Sequence, residues 1–171
     1  VRRHIADAPL IHLATHGILN EESPLESAVA LAHGETLTVY QLMLMRLQAR
    51  LVVLSACSTA QGETTGGDDV LGLTRGLLAA GAGAALVSLW PVDDDSTALL
   101  MDAFYRRLRR GDGPAVALRE AQRCLRDLPE GASPGLPGQE RRVTFGAQGA
   151  DQAGEQGYAH PYYWAPFVLV G

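Results

Sequence analysis

The chain has 171 residues, of which 47% are hydrophobic and 19% charged, with a formal net charge of -5. This is the size of one domain that buries roughly 70% of its unfolded surface, which excludes disorder over the whole length. The acidic balance excludes a general nucleic-acid binder, and no run of about 18 apolar residues marks a membrane span.

The opening residues Val1-Arg2-Arg3-His4 carry neither an initiator Met nor a signal-peptide apolar run, so the chain reads as a piece of a longer polypeptide. Leu10 to Thr15 is a short apolar run ending at His16-Gly17, and reads as a buried strand. Ser27 to Ala32 is a weaker strand followed by a His33-Gly34 turn. Thr38 then caps a short helix carrying Tyr40, Leu42, Met43, Leu44 and Leu47. Arg50 to Ser55 is apolar at every position but its ends, with β-branched Val52 and Val53 at its centre, the pattern of a central parallel strand covered on both faces.

A polar Gly-rich loop from Ser58 to Gly67 follows; it lacks the Gly-Lys-Ser/Thr of a phosphate-binding loop. Asp68 or Asp69 caps a helix with Val70, Leu71, Leu73, Leu77 and Leu78, ended by Gly81. Ala84 to Trp90 is a third buried strand, stopped by Pro91. Asp93, Asp94 and Asp95 lead a long helix whose last turns carry Arg106, Arg107, Arg109 and Arg110, matching the helix dipole. Pro114 opens another helix with Leu118, Ala121 and Leu125 on one stripe, and Cys124 within it reads as structural. From Asp127 to Ala159 the pattern dissolves into Gly, Pro, Gln and charges, as in a flexible insertion. Tyr162 to Val170 reads as a terminal strand, with Pro166 disfavouring extension of a sheet through that position. Strands alternating with helices make this an α/β protein with a mostly parallel sheet.

Two residues carry the chemistry. His16 and Cys57 each stand just past the carboxyl end of a central strand, where open α/β sheets bind ligands. A thiol has an ordinary pKa of about 8.5 and needs a neighbouring imidazole to act as a nucleophile near neutral pH. Gly17, lacking a Cβ, can bring its amide close to a substrate carbonyl, and Cys57 can offer its own amide. A Cys ending an apolar strand is equally a packed core residue, and the pattern alone leaves both readings open.

Five blocks occur in order: His12-Leu13-Ala14-Thr15-His16-Gly17, Leu54-Ser55-Ala56-Cys57-Ser58-Thr59-Ala60, Asp69-Val70-Leu71-Gly72-Leu73, Ser88-Leu89-Trp90-Pro91-Val92-Asp93-Asp94 and His160-Pro161-Tyr162-Tyr163-Trp164-Ala165-Pro166-Phe167. In this the chain resembles a CHAT domain, a caspase-like peptidase domain related to caspases and separases and often found behind tetratricopeptide repeats. The pentapeptide specific to caspases is absent, and only the broader His-Gly and Ala-Cys signature matches. The resemblance implies a three-layer α/β/α sandwich spanning residues 1–171, with its earliest strands outside this chain and residues 127–159 as an insertion. It implies a cysteine endopeptidase with Cys57 as nucleophile, His16 protonating the leaving amine, and the amides of Gly17 and Cys57 as oxyanion hole.

The related separases use an acid in the Trp-containing block to recognise a basic residue before the scissile bond; here Asp93 or Asp94 takes that place, against the plainer reading that Asp93, Asp94 and Asp95 all cap the following helix. The implied partners are a protein or peptide substrate and a regulatory N-terminal domain or tetratricopeptide repeats, with no nucleic acid, membrane, cofactor or metal. A zinc site of His12, His16 and Cys57 lacks any paired ligand motif. Two cysteines, Cys57 and Cys124, are too few and too far apart for a disulfide framework, which makes a reducing, cytoplasmic setting the expectation; the resemblance adds a role in bacterial defence or cell death. The rival readings are a catalytically silent CHAT domain serving as an interaction module and a non-peptidase α/β binding domain.

Overall fold

A computed structural model describes residues 5–18, 20, 22–58, 68–129 and 157–171. The Gly-rich loop and nearly all of the expected insertion lie outside the described residues. The rest divides into two compact units, 1–91 with 166–171, and 92–165.

The first unit is built on a six-stranded sheet ordered β3-β2-β1-β4-β5-β6. Its strands are β1 (Leu10–Ile18), β2 (Ala28–Ala30), β3 (Thr36–Thr38), β4 (Leu51–Ser58), β5 (Ala85–Ser88) and β6 (Phe167–Val170). β1, β4 and β5 pair in parallel, β2 and β3 return antiparallel as a hairpin on one side, and β6 closes the other side antiparallel to β5. β1, β3, β4 and β5 therefore run one way, and β2 and β6 the other. This is the mixed α/β architecture with a parallel centre that the sequence pattern calls for.

Leu51, Val52, Val53 and Leu54 of β4 are all buried, so this strand is covered on both faces as its composition demands. β1 instead alternates. Ile11 and Gly17 are buried and Leu13 and Thr15 half-buried, while Leu10, His12, Ala14, His16 and Ile18 lie on the open face. The turn at His33-Gly34 is made by two residues in the left-handed region, φ 64° and 75°.

Two helices belong to this unit. Helix α1 (Val39–Met43) starts at a reciprocal cap: Thr38 Oγ1 accepts from Gln41 N–H at 3.1 Å while Gln41 Oε1 accepts from Thr38 N–H at 3.2 Å. Val39, Leu42 and, beyond the helix, Leu47 are buried, but Tyr40, Met43 and Leu44 are exposed. With five residues the helix offers one turn, too little to turn every apolar residue inward. Helix α2 (Asp68–Ala79) begins at Asp68, so Asp68 and Asp69 both lie in its first turn. It ends in a Schellman motif, with Ala82 N–H donating to Leu77 O and Gly81 N–H to Leu78 O, and Gly81 at φ 106°. Leu73, Leu77, Ala80 and Ala82 join Val52, Leu54 and Val87 in the core.

The second unit holds α3 (Asp94–Arg109), α4 (Pro114–Arg126) and the short α5 (Pro161–Trp164). Asp93 caps α3, its carboxylate accepting from Ser96 N–H at 2.8 Å, and Pro114 takes the first position of α4. Leu100, Met101 and Phe104 of α3 and Ala117, Leu118, Ala121 and Leu125 of α4 are buried. Cys124 is exposed, so the structural role expected for it is not that of a core residue. The expected terminal strand is half its length: His160 Nδ1 accepts from Tyr162 N–H and Pro161 starts a helical turn, leaving Phe167–Val170 as β6. No helix among the described residues is long and apolar enough to cross a membrane.

Candidate active site

His16 and Cys57 are register partners on the neighbouring parallel strands β1 and β4, and Gly17 is opposite Ser58. Neighbouring strands lie about 4.8 Å apart, so the backbone brings together the two positions that the sequence singled out. Both lie within the last three residues of their strands, which run on to Ile18 and Ser58 instead of ending before these positions as the apolar runs suggest. Gly17 is buried and paired on its other side with Val29 of β2.

The strand end bearing His16 is held from the β2 side. Thr15 Oγ1 donates to Ala30 O at 2.7 Å. Beyond β1, Asn20 N–H donates to the hydroxyl of buried Ser27 at 2.9 Å, and Asn20 Oδ1 accepts from Ser23 N–H at 2.9 Å. Val39 N–H donates to Ser27 O at 2.8 Å, which joins the start of α1 to the same corner. A four-residue step back along β1, the His12 Nε2 lies 3.3 Å from Ser55 Oγ. Loss of water around the ring lowers the His12 pKa below the ordinary histidine value. His12 and His16 share the open face of β1 because side chains alternate with period two.

Asp93 and Asp94 belong to the second unit. Asp93 is half-buried at the α3 cap, with its charge felt by two phenols: Tyr158 and Tyr163 are both raised in pKa, first by burial and then by Asp93. Tyr158 and Tyr163 meet edge to face at 5.6 Å, Tyr162 and Tyr163 at 5.3 Å, and Trp164 Nε1 donates to Ala159 O at 3.0 Å. Asp94 is exposed. Among the described residues no cluster of His, Cys, Asp and Glu side chains has the makings of a metal site.

An open groove of about 580 Å³, absent from the sequence-based expectations, lies between the Pro24–Glu26 turn, the end of β3 and α1, lined by Leu25, Glu26, Thr38, Tyr40 and Gln41. Its one legible signal was Tyr40 and Leu44 in a helix too short to bury them.

Comparison with known proteins places these features in a family. The profile of the CHAT domain matches residues 1–171. Over 135 residues, 79% of this chain, the sequence is 32% identical to tetratricopeptide repeat protein 28 of Mus musculus and 30% identical to that of Homo sapiens. The chain spans 4% of the length of these relatives.

Proposed function

The chain belongs to the CHAT domain family, and from that premise we propose that it is a caspase-like cysteine endopeptidase acting on a partner protein. The observation that carries this reading is the pairing of His16 with Cys57 across β1 and β4 at the carboxyl end of the parallel strands. The Cys57 thiolate attacks the scissile carbonyl carbon, and the resulting oxyanion is held by the amides of Gly17 and Cys57. His16 gives its proton to the leaving amine as the C–N bond breaks. Water then hydrolyses the thioester, with His16 taking the proton of the attacking water. No cofactor enters any step.

Asp93 or Asp94 is proposed to line the specificity pocket and favour a basic residue before the scissile bond. The support is the half-buried Asp93 carboxylate, whose charge reaches the phenols of Tyr158 and Tyr163 and adds to the rise that burial gives their pKa, so a cation and aromatic rings fall within the same field. The relatives are named for tetratricopeptide repeats, which supports control by a repeat region or another N-terminal sensor. A cytoplasmic setting and a role in bacterial defence or cell death complete the proposal.

The test is digestion of a proteome-derived peptide library by the full-length protein, with new N-termini read by mass spectrometry. Cys57→Ala and His16→Ala should each cut turnover by roughly 10⁴-fold while leaving the melting curve in place. Undiminished cleavage by Cys57→Ala overturns the dyad. A folded wild-type protein that cleaves nothing beyond the Cys57→Ala blank supports the silent interaction module instead.

A further inference from the structure

We propose that the groove of Leu25, Glu26, Thr38, Tyr40 and Gln41 is a specificity subsite for the leaving half of the polypeptide substrate, receiving a large apolar side chain three or four residues after the scissile bond. The inference rests on the peptidase reading and goes beyond it by naming where the second half of the substrate is recognised.

Strand order fixes the direction. The nucleophile position is on β4 and the imidazole that protonates the leaving amine is on β1, so the substrate passes from its acyl half to its leaving half in the direction β4 to β1. Continuing that way the chain meets β2 and then β3. β3 runs parallel to β1, because two antiparallel steps restore the direction. The end of β3 at Thr38 is therefore at the same edge of the sheet as His16 and Cys57. Register gives the row: Thr38 is opposite Ala28, and Ala28 opposite Ile18, two residues beyond His16.

The span suits an extended peptide. From β4 to the gap between β2 and β3 is two to three strand spacings, about 10–14 Å. An extended chain covers that in three or four residues. Side chains alternate with period two along β1, so Ile18, 46% exposed, lies on the same face as His16 and offers apolar surface at the strand end. At the far end Leu25 is 51% exposed, Tyr40 56% and, one turn on, Leu44 68%. These are apolar side chains around an open-sided trough, and Thr38 and Gln41 are engaged in their own reciprocal cap. Glu26, the one charged lining residue, accepts from Asn20 Nδ2 at 3.3 Å through one carboxylate oxygen, so the apolar contact in the trough comes from Leu25 and the Tyr40 ring.

The peptide-library digest with the full-length protein also reads this. Leu, Ile, Met or Phe should be enriched about tenfold at the third or fourth position after the cleaved bond, the low end for one apolar side chain in a half-open site. Leu25→Asp and Tyr40→Asp, both at exposed positions, should each flatten that enrichment and leave the residues preferred before the bond unchanged. Leu25→Ala is the milder variant, and should reduce the enrichment without adding charge. Cleavage by the wild type with flat residue frequencies at those positions overturns the groove alone, and the dyad stands. Cleavage no greater than that of Cys57→Ala overturns the dyad and the groove with it.

Discussion

Gly81→Ala separates what the fold requires from what the chemistry requires. Gly81 ends α2 at φ 106°, and a Cβ there would stand 2.7 Å from Leu47 O. That carbonyl cannot swing away freely, because Leu47 N–H donates to Ala80 O at 2.7 Å and fixes the same strip of backbone. The left-handed conformation costs an alanine about 1–2 kcal/mol, and relieving the overlap adds about 1–3 kcal/mol. Gly34→Ala is the control in the same unit: φ is 75° and nothing lies within 4 Å of a Cβ, so only the conformational cost applies. Urea unfolding should therefore place Gly81→Ala about 2–5 kcal/mol below wild type and Gly34→Ala about 1–2 kcal/mol below, with m unchanged. Gly81 is at the amino-terminal edge of the sheet, six residues of β4, about 20 Å, from Cys57. Cleavage specificity at a permissive temperature should stay as in wild type. Equal destabilisation by the two variants would refute the steric part of the reasoning, and altered specificity would refute the separation of the two edges.

Asp93→Asn keeps an N-cap acceptor but removes the charge, so α3 should hold its stability while any preference for a basic residue before the scissile bond is lost; Asp93→Ala should in addition cost about 1 kcal/mol. Thr38→Ala removes the hydroxyl acceptor of the reciprocal cap on α1 and leaves the backbone N–H that Gln41 Oε1 accepts from; it should destabilise by about 0.5–2 kcal/mol in urea, with Thr38→Ser close to wild type. Leu77→Ala, in the core beneath the sheet, should cost about 2–5 kcal/mol. The pKa of His12 is lowered in the folded chain, so the unfolded chain binds the extra proton first. Stability should then fall as pH drops below the unfolded value of about 6.5, until the folded ring also protonates, and His12→Gln should flatten that part of the pH–stability curve.

The parallel centre was legible because β4 and β5 are short apolar runs bounded by turn residues, and the caps of α1, α3 and α4 because Thr38, Asp93 and Pro114 each carry a local start signal. What failed was non-local. β3 is three residues, and its strand state comes only from pairing with β2. The expected strand through Tyr162, Tyr163 and Trp164 follows their β-propensity, yet His160-Pro161 is itself a helix start, and it prevailed. The two site residues were visible near the strand ends, although both strands run past them because pairing continues through polar positions that an apolar run does not mark. That they stand opposite each other was not, since register depends on partners forty positions away in the chain. The groove beside β3 required both a hairpin and a one-turn helix to be placed before it existed.

Register is also where the two central strands divide the labour. β4 is apolar on both faces over Leu51–Leu54, so a slip of one residue would exchange one buried side chain for another, with little to oppose it. β1 cannot slip so cheaply. Moving it by one residue would put Thr15 opposite Cys57, turn His16 and His12 toward the core and expose Ile11. The discrimination between the right pairing and the wrong one therefore comes from the alternation of β1, seconded by Thr15 on Ala30 O and by Arg50 N–H donating to Pro9 O at the strand starts. The strand with the more open face is thus the one that aligns the site, and a polar residue at buried Ile11 should disturb the His16–Cys57 pairing more than an apolar exchange at equally buried Val53 of β4.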